Sequence, residues 1–219
     1  ESEKYATFWS QFGSVLKEGP SEDHANREKI AKLLRFMSSE SGSDLCSVSL
    51  TDYVGRKKAH QDKIYYLTGD NYSVIANSPY LEAFRKHDIE VLLMTDRIDE
   101  WMMGYLTEFD GLNFQDISRG ELNLEELTDT KTEKSEEEKS DQENVNKIEK
   151  DLCDRVKELL DGRVEDVRTT QRLTDSPACL VVGEHDMGEQ MRKIMQAAGQ
   201  SVPDSKPVLE INIEHPLVA

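Results

Sequence analysis

The sequence predicts two joined units: a small three-layer α/β/α domain on a short parallel sheet, then an α+β domain. Three observations lead there. Two apolar runs, "KIYYLT" (63–68) and "EVLLMT" (90–95), alternate with helical patterns, the order of strands joined by helical crossovers. The stretch "TDTKTEKSEEEKSDQE" (128–143) carries no large apolar side chain and reads as an acidic linker between 1–127 and 144–219. Beyond it, amphipathic helices mix with three β-rich runs.

Taken in order, residues 1–40 read as two helices. Tyr5, Phe8, Trp9, Phe12, Val15 and Leu16 recur at steps of three and four. "KEGPS" ends that helix, and Ser21 is the expected N-cap of the next. Ile30, Leu33, Leu34 and Met37 form its stripe, which "SSESGSDL" closes. After "KIYYLT" a helical pattern covers 71–87, with a break at Pro79. After "EVLLMT" the spacing predicts one helix over 96–109, with Asp96 as its N-cap. "LNFQDIS" (112–118) completes a parallel sheet.

In the second unit Val145, Ile148, Leu152, Val156, Leu159 and Leu160 describe an amphipathic helix closed by Gly162. "VEDVRTT", "ACLVV" and "PVLEINI" read as strands. "DMGEQMRKIMQAAG" (186–199) reads as a helix, with Asp186 and Glu189 in capping-box spacing.

Composition narrows the function. The 219 residues carry 44 acidic and 27 basic side chains, a net charge of -17. Such a surface repels a phosphate backbone, so nucleic acid is not an expected partner. No apolar run approaches the roughly 20 residues a membrane helix needs. The three cysteines, Cys46, Cys153 and Cys179, are widely spaced and lack a CxxC pair, which points to a reducing, cytoplasmic setting. No metal-ligand spacing is present. The first residue is Glu1, and the chain reads as a segment of a longer protein.

Candidate catalytic patterns are weak. "GEHDMG" (183–188) has phosphate-loop glycine spacing, but Glu189 stands where the phosphate-binding lysine belongs. Asp70 and Asp96 follow strands, as acidic residues do in a receiver-like or small α/β enzyme site, which is the alternative reading. The second magnesium-binding carboxylate and the usable lysine of a receiver are missing. No serine occupies a nucleophile elbow.

Apolar surfaces carry more. On a wheel at about 100° per residue, Met102, Tyr105, Leu106 and Phe109 cluster with Ile98, and Met103 falls beyond one margin. Trp101 lies on the other margin, where periodicity fits either a packed or an offered side chain. Met187, Met191, Ile194, Met195 and Ala198 line one face of the 186–199 helix. Periodicity alone favours core there, yet methionine is flexible and suits surfaces that accept varied partners.

Long motifs then coincide with a known family. "FWSQFGSVLKEGPSEDHANREKIAKLLRF", "KIYYLTGDNY", "SPYLEAFRKHDIEVLLMTDRIDEWMMGYLTEFDG", "VEDVRTTQRLTDSPACLV" and "LEINIEHPLV" occur in order. Together they resemble the ninety-kilodalton heat-shock chaperone family, its bacterial members above all. The resemblance implies the later part of a middle domain followed by the first half of a C-terminal domain. It implies unfolded or partly folded client proteins as partners, met at Trp101, Met187, Met191, Ile194 and Met195. It also implies a full-length homodimer that uses ATP and magnesium, with the ATP site, its catalytic arginine and the dimer helices outside this segment. No cofactor and no catalytic residue are expected within the segment itself. One departure is Ile213, where the family usually has proline.

Overall fold

The structure is a computed structural model and describes residues 2–120, 149–183, 186–202 and 205–218. The expected linker 128–143, with Val145, Ile148 and Glu184, lies outside the described residues.

Helix α1 (Ser2–Leu16) leads into a short turn, α2 (Gly19–Glu22), with Pro20 at its start. Proline is pre-set for that position because its missing N–H would be unpaired there anyway. Ser21 is therefore not the cap of the next helix; it lies inside α2 and its hydroxyl donates to Glu18 O at 2.7 Å. Asp23 takes the capping role instead, accepting from the Asn26 N–H ahead of α3 (Arg27–Leu33). The stripe of α1 is split: Trp9 is buried, whereas Phe8, Phe12 and Val15 are exposed.

Met37 leaves the helical stripe for a strand, β1 (Met37–Ser38). Helix α4 (Leu50–Arg56) begins on a capping box in which Ser49 and Asp52 satisfy each other's backbone N–H. Strand β2 (Lys63–Thr68) is followed by α5 (Tyr72–Ile75), a turn at Pro79–Leu81, α6 (Glu82–Lys86) and β3 (Leu92–Met94).

The helix expected over 96–109 is shorter: α7 spans Asp99–Met103. Beyond it, β4 (Glu108–Phe109) and β5 (Leu112–Asp116) form an antiparallel hairpin. Asp110 and Gly111 both adopt positive φ, 52° and 77°, the two-residue turn whose twist matches paired strands. The Asp-Gly signal thus overrides the helical spacing of Phe109.

The sheet order is β1-β3-β2-β5-β4, with β3, β2 and β5 parallel and the two edge strands antiparallel. The pleat separates two cores. Ile64, Leu92 and Met94 face one layer with Trp9, Phe36, Leu50, Met102 and Leu106. Tyr65, Leu67 and Leu93 face the other with Ile75, Leu81 and Phe84. Successive strand residues point to opposite faces, so this alternation is the three-layer α/β/α arrangement.

The second unit opens on a helix whose described part is 149–159, here α8. Its Cys153, Leu152 and Val156 pack against Val167 and Ile211 of a three-stranded mixed sheet. That sheet orders β6 (Asp166–Thr169), β8 (Val208–Ile211) and β7 (Ala178–Val181). Helix α9 (Glu189–Ala197) stands between β7 and β8 in sequence. The chain is therefore α/β followed by α+β.

Candidate functional site

The two units meet where strand order reverses, at the carboxyl ends of β2 and β5. Open α/β sheets commonly bind ligands at such a point. Here the second unit occupies it. Val182 pairs with the segment after β5, exchanging Gly120 N to Val182 O at 3.1 Å and Val182 N to Ser118 O at 3.3 Å.

Charged side chains knit the same seam. Arg172 is 1% exposed and reaches back to the first unit, donating to Ile117 O and to Gly120 O, the latter at 2.9 Å. Its Nε lies 3.1 Å from Glu210, which Arg168 also meets at 2.7 Å. Glu82 on α6 accepts from the N–H groups of Thr174, Asp175 and Ser176 and from the Ser176 hydroxyl. Partial burial works against this carboxylate, but those four donors outweigh it and hold Glu82 below its ordinary range.

Trp101 is set by the start of α7. Lys17, 2% exposed, places its ammonium 2.7 Å from Asp96 and 2.6 Å from Asp99, which is fully buried. Burial drives the Asp99 carboxyl upward, against the pull of Lys17. Burial also opposes charge on Lys17, but the two carboxylates prevail and raise it. Asp96 does not cap α7 with its side chain; its N–H donates to Asp99 Oδ2 at 2.9 Å, closing the turn before the helix. With the turn fixed, Met102 points into the core and Trp101 stays 45% exposed, its ring 5.4 Å from that of Tyr105. Met103, beyond the stripe on the wheel, is buried too, because the helix ends there and the wheel no longer applies.

Helix α9 lies across from Trp101. Met187 precedes the helix by two residues rather than lying on it, and the N-cap is Gly188, without a side-chain bond of its own, rather than Asp186. Met187, Met191 and Met195 are half-buried and Ile194 is 42% exposed. Among the described residues, none of these four belongs to any of the three apolar cores. Trp101, Tyr105, Tyr66, Met187 and Met191 instead line one open cleft of about 660 Å³. Ile194 and Met195 are not among its lining residues.

The remaining candidates separate. Asp96 is committed to Lys17, and Asp70 pairs with Lys193 of α9 at 2.9 Å. Burial pushes the Cys179 thiol up to about 12, the opposite of an activated nucleophile. Among the described residues no group of three or more His, Cys, Asp or Glu side chains could hold a metal ion. No helix among them is long and apolar enough to cross a membrane. Sequence reading missed Glu100, Arg119, Gly188 and Arg172, all of which shape the seam.

The cleft lies where the two units join, with Met103 of the first core and Met187 and Met191 of the second unit in its walls. The class of protein comes from the whole-chain comparison, which gives a chaperone family. Residues 1–219 match the family model described as Hsp90 protein. The chain belongs to the Hsp90 family, whose full-length members are ATPases.

Proposed function

We propose that this chain binds unfolded or partly folded client proteins in the cleft between Trp101 and the apolar stripe of α9. The observation that carries the reading is that Met187, just before α9, and Met191, Ile194 and Met195 on it lie outside every core among the described residues, and that Met187 and Met191 line a cleft with Trp101. Client apolar side chains would be removed from water against thioethers that adapt to many shapes. Each contact is small, which suits release as well as capture. The net charge of -17 draws basic clients and keeps the chaperone soluble. ATP and magnesium would act in parts of the full-length homodimer outside this chain, in the cytoplasm.

The test replaces Met187, Met191 and Met195 together with Ser. Stability should fall by less than about 1 kcal/mol per site, because none is a core residue. Affinity for reduced, carboxamidomethylated lysozyme, a permanently unfolded basic chain, should fall about tenfold or more, the equivalent of roughly 1.4 kcal/mol. A loss of about 2–5 kcal/mol per site would instead mark buried packing. Unchanged affinity would remove the proposal.

A further inference from the structure

We infer that Glu100 is a positioning residue for the client cleft: it holds the start of α9 opposite Trp101, and Gly188 makes room for it. The inference rests on the proposed client reading and deepens it.

The start of a helix leaves N–H groups that need acceptors. Helix α9 has no side-chain cap from its own N-cap residue. The acceptor comes from the other unit: Glu100 Oε2 receives the Met191 N–H at 2.9 Å. The other oxygen, Oε1, receives Arg119 Nη2 at 2.8 Å. Arg119 is in turn held by Asp116 Oδ2 at 2.9 Å and donates to Asp186 O at 2.8 Å. A chain of charge-assisted bonds therefore runs from the end of β5 through α7 to the first turn of α9. Such bonds are directional and stronger than neutral ones, and the side chains of Glu100 and Asp116 are largely buried.

Gly188 explains how the parts fit. It is buried, and a Cβ there would overlap the Glu100 carboxylate and the Arg119 guanidinium. Any other residue must displace the Glu100 carboxylate and the Arg119 guanidinium from these positions or move α9 away from α7. Glu100 is also the immediate neighbour of Trp101. One end of α7 thus supplies both the ring on one wall of the cleft and the carboxylate that anchors the opposite wall. Glu100 thus ties the Trp101 wall of the cleft directly to the backbone of Met191.

The test compares Glu100→Ala, Glu100→Gln and Gly188→Val with Trp101→Ala and Met191→Ser. Binding of carboxamidomethylated lysozyme and amide exchange at Met191 are both measured. Glu100→Ala should speed exchange of the Met191 amide about tenfold, as an unpaired N–H becomes open to water, and weaken binding several-fold. Glu100→Gln keeps a carbonyl acceptor, so it should restore most of the exchange protection and part of the binding. Gly188→Val should weaken binding with Glu100 intact. If Trp101→Ala and Met191→Ser lose binding while Glu100→Gln, Glu100→Ala and Gly188→Val match the parent, the positioning role is overturned and the client reading stands. If Trp101→Ala and Met191→Ser bind as the parent does, both fall. Should Glu100→Ala fail to fold, Gly188→Val decides: parent-like binding by that variant overturns the positioning role.

Discussion

Replacing Arg172 with Leu should destabilise the chain by about 3–5 kcal/mol, the cost of removing one partner from a buried ion pair. Arg172 is 1% exposed; its guanidinium donates to Ile117 O and Gly120 O and lies within ion-pair distance of Glu210. Leucine fills much of the stem's space but bonds none of them. Arg168 still reaches Glu210 and Gly120 O, so the carboxylate keeps one partner while the Ile117 carbonyl keeps no side-chain donor. Arg168→Leu should cost much less, about 1 kcal/mol, because that side chain is partly exposed. Denaturant unfolding followed by Trp fluorescence and circular dichroism checks this. We expect Arg172→Leu to shift the midpoint strongly and to split one transition into two as the units part. A midpoint equal to that of Arg168→Leu would contradict the clamp.

Lys17→Met should be of similar size, about 3–5 kcal/mol, for a different reason. It leaves Asp99, fully buried, without a cation at 2.6 Å. Desolvation already raises the Asp99 carboxyl, and without Lys17 it rises further. A carboxyl whose folded pKa is raised binds more protons folded than unfolded, so stability grows as pH falls through that folded value. The loss in Lys17→Met should therefore be greatest at neutral pH and above, and shrink on acidification. Adding Asp99→Asn removes the stranded charge and should recover more than half of the loss at neutral pH. The double-mutant cycle measures the coupling directly. An additive cycle with no pH dependence would show that the pair does not hold α7.

The legible parts of this fold are those decided by local pattern. "KIYYLT" and "EVLLMT" are apolar runs of strand length, and they form β2 and β3 within the predicted bounds. The stripe on α9 was legible as well, since Met191, Ile194 and Met195 repeat at helical spacing. The overextended helix at 96–109 shows two local signals in competition. Phe109 fits the helical period, but Asp110-Gly111 imposes a hairpin, and backbone geometry wins over a single matching side chain. "SLTD" at 49–52 likewise held the capping box of α4, a signal that spacing could have revealed.

What stayed hidden depends on contacts distant in sequence. Arg172 looks like any surface arginine until β5 and β8 close around it. Glu100 reads as an ordinary acidic residue in a helix's first turn, yet its partner is an N–H ninety-one residues away. Gly188 reads as the second glycine of a phosphate-loop spacing, whereas its place in the structure is the close approach of Glu100 and Arg119. Local propensity carries no record of such pairings. The helical spacing of Met191, Ile194 and Met195 was visible in the sequence; the contacts that set α9 opposite Trp101 were not.

The central claim, that clients bind at the Trp101–α9 cleft, is tested most directly through the methionine methyl groups. The chain has seven methionines, and two classes of environment separate them. Met94 and Met102 are sealed in the first unit, Met37 and Met103 are nearly so, and Met187, Met191 and Met195 lie outside the cores. Methyl-labelled protein titrated with carboxamidomethylated lysozyme should show saturable shifts at Met187, Met191 and Met195, while Met94 and Met102 stay in place. Shifts absent from those three signals, with client bound elsewhere on the chain, would contradict the account.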